Sequence, residues 1–117
     1  AAVRIRDFGS QEVSNFAWAC AKLEMQPDDS LVEALCGQAA ALMQDFEPLG
    51  VTNLLWGLAS LGKSVPAPLF EALCERAASR VGDFGPQHVS NFLWACAKLE
   101  LSPEERLFAG LCEQAAA

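Results

Sequence analysis

Five cysteines and a single histidine have the widest chemical range of any residues in this sequence: Cys20, Cys36, Cys74, Cys96, Cys112 and His88. A zinc site needs Cys and His at ligand spacing, and a nucleophilic triad needs a histidine within reach of its nucleophile. There is no Cys-x-x-Cys pair, the cysteine count is odd, and His88 stands near a helix start, where it reads as a solvated side chain. The cysteines fall at apolar helical positions, where a free thiol packs as a small hydrophobe, and a reducing compartment is the simplest setting for them. No glycine-rich phosphate loop or carboxylate pair stands out. The residues thus offer no catalytic group, no metal site and no cofactor, and the chain is not expected to be an enzyme.

Binding chemistry has more to work with. Trp18, Trp56 and Trp94 border a polar strip, and an indole face can stack a base for about 1 to 3 kcal/mol. Each is followed by Ala or Gly, which suits an indole wedged against a neighbouring helix, and this structural reading is preferred to a stacking platform. Asn15, Asn53 and Asn91 likewise read as buried amides bonding a neighbouring loop. Phe8, Phe46 and Phe84 complete the structural set. In a repeat that reads one base per unit, scaffold positions stay fixed and reading positions change. Glu12, Gly50 and His88 differ at one equivalent place, Gln11, Leu49 and Gln87 precede them, and Lys22, Ser60 and Lys98 lie about three turns on. The candidates for a contact strip are therefore Gln11, Glu12, Lys22, Gln87, His88 and Lys98. Arg76 and Arg80, four apart on one face of a second helix, join them. Drift at unconstrained surface positions produces the same variation and is the alternative.

The elements that position these residues are legible from self-similarity. A shift of 38 residues, without gaps, aligns Asp7, Asp45 and Asp83, then the phenylalanines, asparagines and tryptophans named above, then Cys36, Cys74 and Cys112. A period in this range is the signature of a helical solenoid whose units bury their apolar faces on one another. Each unit reads as two helices. Gly85 serves as N-cap and Pro86 as first helical residue, where its missing N–H costs nothing, with Phe84 and Val89 at hydrophobic-staple spacing. The first helix of that unit should run from about Pro86 to Leu99, with Ser102 and Pro103 starting the second; Pro27 and the segment 62–68 do the same in the other units. No stretch alternates with a strand's period of two. The expected architecture is an all-α solenoid: 1–6 the end of a preceding unit, 7–44 and 45–82 two full repeats, 83–117 a truncated third, and the whole a slice of a longer array.

With 52% hydrophobic residues the chain has ample material for a core. Its formal net charge of -7 repels phosphate on average. Acidic residues such as Asp28, Asp29, Glu104 and Glu105 fall at starts of second helices, where they favour the helix dipole. No apolar run is long enough for a membrane span, and the first residues have no signal layout.

The three first helices, "FGSQEVSNFAWACAKL", "FEPLGVTNLLWGLASL" and "FGPQHVSNFLWACAKL", resemble the octotricopeptide repeat of organelle-targeted proteins, a unit also found beside RAP domains. The resemblance implies a right-handed α-solenoid that binds organellar RNA and acts in transcript stability, processing or translation, in a chloroplast or mitochondrion. The acidity favours a second reading, a protein-binding structural solenoid in a larger organellar assembly such as a ribosome or photosynthetic complex. Expected partners are organellar RNA or protein subunits, with no small-molecule substrate.

Overall fold

The computed structural model describes residues 4–116. The segment 1–6 expected to end a preceding unit, and the last position of 83–117, thus lie partly outside the described residues. Six α-helices follow in order: α1 Ser10–Leu23, α2 Asp29–Ala41, α3 Pro48–Ser60, α4 Ala67–Ser79, α5 Pro86–Leu99 and α6 Glu105–Ala116. A single 3-10 turn precedes each odd-numbered helix, at Ile5–Asp7, Met43–Asp45 and Val81–Asp83, so each turn begins 38 residues after the last. Among the described residues there is no strand, and the fold is all-α.

Local chemistry sets the boundaries. Pro48 and Pro86 each open their helix, where a proline N–H would be unsatisfied anyway. The first helices of the outer units end on Glu24 and Glu100 in the left-handed conformation, and Gly62 occupies the same place in the middle unit. The amide that follows turns back onto the helix in all three, as in Met25 N–H to Cys20 O at 3.1 Å. Two of the second helices, α2 and α6, start two residues later than expected, whereas α4 starts at Ala67, within the expected segment 62–68. Pro27 and Pro103 lie in the extended connection, which suits the restricted backbone before a proline, and α2 and α6 begin at Asp29 and Glu105.

The first helices form a continuous layer, α3 lying along α1 and α5 along α3 in the most extensive contacts of the molecule. The second helices α2, α4 and α6 touch one another more lightly. Val13, Leu54, Leu55, Leu58 and Phe92 are sealed between these layers. One contact sets the spacing: a Cβ placed on Gly57 would lie 2.7 Å from the carbonyl carbon and oxygen of Ala17. The equivalent positions hold Ala19 and Ala95, so the small residue after each tryptophan belongs to helix-helix approach. Phe46 and Phe84 are buried, the latter edge-on to Phe92 at 6.1 Å, while Phe8 is half-buried against Phe16.

Polar side chains stitch the units. Ser10 Oγ donates to Asp45 O at 3.2 Å and Gln26 Nε2 to Leu61 O at 2.9 Å, both across a unit boundary. No helix is long and apolar enough to cross a membrane among the described residues.

Candidate nucleic-acid interface

Along α1 the positions Gln11, Asn15, Trp18 and Lys22 recur at spacings of four, three and four, which puts them on one face. The same face of α3 carries Leu49, Asn53, Trp56 and Ser60, and that of α5 carries Gln87, Asn91, Trp94 and Lys98. Because α1, α3 and α5 lie side by side, the three rows make one surface.

The tryptophans stand on that surface instead of being wedged beneath it. Trp18 is 42% and Trp94 46% exposed, and Trp56 is half-buried. The ring of Trp56 lies 6.2 Å from that of Trp94, centroid to centroid, at a tilt of 37°. Lys22 Nζ sits 5.8 Å from the Trp18 centroid, in cation-π range. The expectation of wedged indoles is thus corrected, and the reason is Gly57: the small neighbour makes room for the backbone of α1, not for the indole.

The asparagines are corrected too. Asn15 is exposed, and Asn53 and Asn91 are half-buried on the same surface, not sealed against a loop. Asn15 and Asn53 line a groove of about 280 Å³ between α1 and α3, together with Gln11 and Leu49. Gln11, Gln87, Lys22 and Lys98 are exposed beside the rings.

The other candidates have local duties. Glu12 Oε1 accepts a hydrogen bond from Gly9 N–H at 2.8 Å, and His88 Nδ1 accepts from Gly85 N–H at 3.1 Å. Both close the first turn of their helix, so their difference reflects two acceptors serving one cap. Gly50 holds the equivalent place, and a Cβ added there would lie 3.3 Å from Phe46 Cδ2 and 3.5 Å from Ser14 Oγ. Arg76 lies in the layer of second helices, where its Nε donates to Phe46 O at 2.7 Å; Gln38, its equivalent, bonds Phe8 O at 2.8 Å. Arg80 pairs with Glu47 and Asp83, each at 2.8 Å, and these bonds, Asp83 first, push its pKa further up. Lys63 meets Asp29 at 3.0 Å. The structure therefore brings Lys22 and Lys98 to the tryptophan face and leaves Arg76 and Arg80 off it.

Among the cysteines Cys36 and Cys96 are buried and Cys20 and Cys74 half-buried, but Cys112 is exposed, against the expectation that all five pack in the core. Burial, with Glu104 adding, pushes the Cys74 thiol up to about 11; burial, with Cys74 adding, pushes Cys96 up to about 12. Both stay protonated near neutrality, the opposite of an activated nucleophile. Among the described residues no group of three His, Cys, Asp or Glu side chains is placed to hold a metal ion.

What the surface can do follows from its groups. Indole faces stack planar bases, amides bond base edges, and two ammonium groups meet phosphates. The family model for the RNA-editing substrate-binding complex 6 protein matches residues 1–117. That family replaces the octotricopeptide repeat as the relationship shown for this chain. No curated protein matches it.

Proposed function

The chain belongs to the RNA-editing substrate-binding complex 6 protein family, and from that premise we propose that it is a non-catalytic helical-repeat module, solenoid in kind, that holds single-stranded RNA along the face of its first helices. The observation that carries this reading is the exposure of Trp18 and Trp94, with Trp56 close beside Trp94. Exposed indoles on α1 and α5, with a half-buried one on α3 between them, need a use, and stacking on bases is the one that the flanking amides and the two lysines support. Sequence tolerance follows, because every base has a π-face. The family name supplies the setting, a complex that handles the substrate of RNA editing. We place it in an organelle, as the sequence resemblance suggested.

A protein-binding role in the same complex is the second reading, and the net charge of -7 favours it. The two differ in a direct test. Fluorescence anisotropy of a labelled single-stranded RNA, titrated with this chain at low and moderate salt, should show binding that weakens with salt and quenches tryptophan emission. An RNA that stays free at low salt would sink the RNA reading and favour the protein one.

A further inference from the structure

The middle unit differs from its neighbours by what it lacks. Glu12 and His88 fold back on the amides of Gly9 and Gly85, whereas the equivalent residue of α3 is Gly50, which has no side chain to place there. The space beside it is the groove of about 280 Å³ between α1 and α3. Phe46 and Ser14 line that groove, and a Cβ on Gly50 would lie 3.3 and 3.5 Å from them, so any side chain at this position grows into it. Where α5 follows α3, the corresponding place holds His88, its ring 6.0 Å from that of Phe84. The groove opens on the tryptophan face: Asn15 and Asn53, on its walls, stand three residues before Trp18 and Trp56 along their helices.

The groups around the groove select a ligand by the protons they hold and lack. No lysine, arginine or histidine is among the described residues that line it, so a phosphate finds no counter-charge there. The Ser10 hydroxyl donates to Asp45 O and the Ser14 hydroxyl to Gln11 O, which leaves both oxygens as acceptors. Glu47, whose carboxylate Arg80 holds at 2.8 Å, adds further lone pairs. Asn15 and Asn53 bring two amides that make no hydrogen bond to the protein among the described residues, each a donor beside an acceptor. Acceptors are therefore in surplus. We propose that this groove takes one unstacked base that bears an exocyclic amino group, adenine, cytosine or guanine, from the single strand that the tryptophan face holds. The inference rests on that reading and adds one position of base preference to a face whose stacking is tolerant. An amide pairs bidentately with adenine, and carboxylate and hydroxyl oxygens take the amino protons of the other two. Uracil, with two carbonyls and one N–H, leaves acceptors unpaired, and a site built on hydrogen bonds rejects a ligand that cannot complete them.

Two readouts test this. In amide-detected NMR spectra the side-chain signals of Asn15 and Asn53, assigned from Asn15→Ala and Asn53→Ala, should move on titration with adenosine or cytidine at millimolar concentration and stay still with uridine. In anisotropy titrations labelled oligo(C) should bind roughly tenfold more tightly than oligo(U). Gly50→His, which gives the middle unit the residue of its neighbour, should fill the groove and bring that ratio to about one without changing the affinity for oligo(U). Asn15→Ala with Asn53→Ala should do the same, and circular dichroism checks that each variant keeps its helix content. Trp94→Ala should weaken both RNAs alike and keep the ratio. Nucleosides that move neither amide, uridine that moves them equally, or a preference for oligo(C) that survives in the folded groove variants would overturn the proposal. Shifts with adenosine and cytidine but no binding of either oligonucleotide would support the groove as a base site and sink the reading of the tryptophan face.

Discussion

Gly57 rests on the backbone of Ala17 so closely that a methyl group in its place would come within 2.7 Å of the Ala17 carbonyl and 3.0 Å of its Cβ. Backbone atoms have no rotamer by which to yield, so α3 would have to move off α1. Gly57→Val should cost about 3 kcal/mol or more of stability, beyond the overpacking usual for flexible surroundings. Gly37→Ala, where a Cβ meets nothing within 4 Å, should be neutral or stabilising by up to about 1 kcal/mol. Urea unfolding followed by circular dichroism separates the two.

The tryptophan face makes a quantitative demand on RNA binding. Trp94→Ala should weaken affinity by roughly 1 to 3 kcal/mol, about 5- to 150-fold, with little loss of stability because the ring is half exposed. Lys22→Ala with Lys98→Ala should instead flatten the salt dependence, each lost phosphate contact removing about 0.7 from the slope of log affinity on log salt. Arg80→Ala, whose partners are Glu47 and Asp83, should leave that slope unchanged. Anisotropy titrations at several salt concentrations read all three.

The start of α5 at Pro86 after Gly85, its end at Leu99, and the 38-residue recurrence were all legible, because caps, prolines and repeats are local signals. The orientation of the tryptophans was not. A small residue beside Trp56 serves equally a wedged indole or a close helix, and only the packing of Gly57 on Ala17 decides between them. Arg76 shows a related limit: its Nε donates to Phe46 O as Gln38 Nε2 does to the equivalent Phe8 O, and no local signal in the sequence marks either side chain as such a clamp. Glu12 and His88 differ in charge and agree in function, both accepting from a glycine amide, so variation between copies did not indicate reading of bases.

The left-handed glutamates are an avoidable cost. Glu24 and Glu100 hold φ of 56° and 57°, where a Cβ is unfavourable, and the middle unit has solved the same turn with Gly62. Glu24→Gly and Glu100→Gly should each stabilise by up to about 1 kcal/mol, and Gly62→Glu should destabilise by a similar amount. Thermal unfolding of the three variants gives the sign directly.

Thiol chemistry sorts by burial. At low protein concentration iodoacetamide should label Cys112 first, and Cys36 and Cys96 only as the chain unfolds. The pH dependence has a definite sign. In the folded protein Cys74 and Cys96 titrate near 11 and near 12, raised by burial from the ordinary 9.0 that the unfolded chain retains. Above pH 9 the unfolded chain releases protons that the folded chain keeps, so the thiols' contribution is full below that pH and is lost as pH rises toward 12. Cys96→Ala should make the decline shallower in urea titrations across this range.

The unequal packing of the two helix layers gives the molecule the mechanics of a leaf spring. The tight contacts run along α1, α3 and α5, whereas grooves of about 660 and 460 Å³ separate α4 from α6 and α2 from α4. Bending therefore fans the outer leaves apart or together while the inner leaf keeps its length. A load that curves the stack alters the pitch of α2, α4 and α6 and leaves the rungs of Trp18, Trp56 and Trp94 at constant spacing.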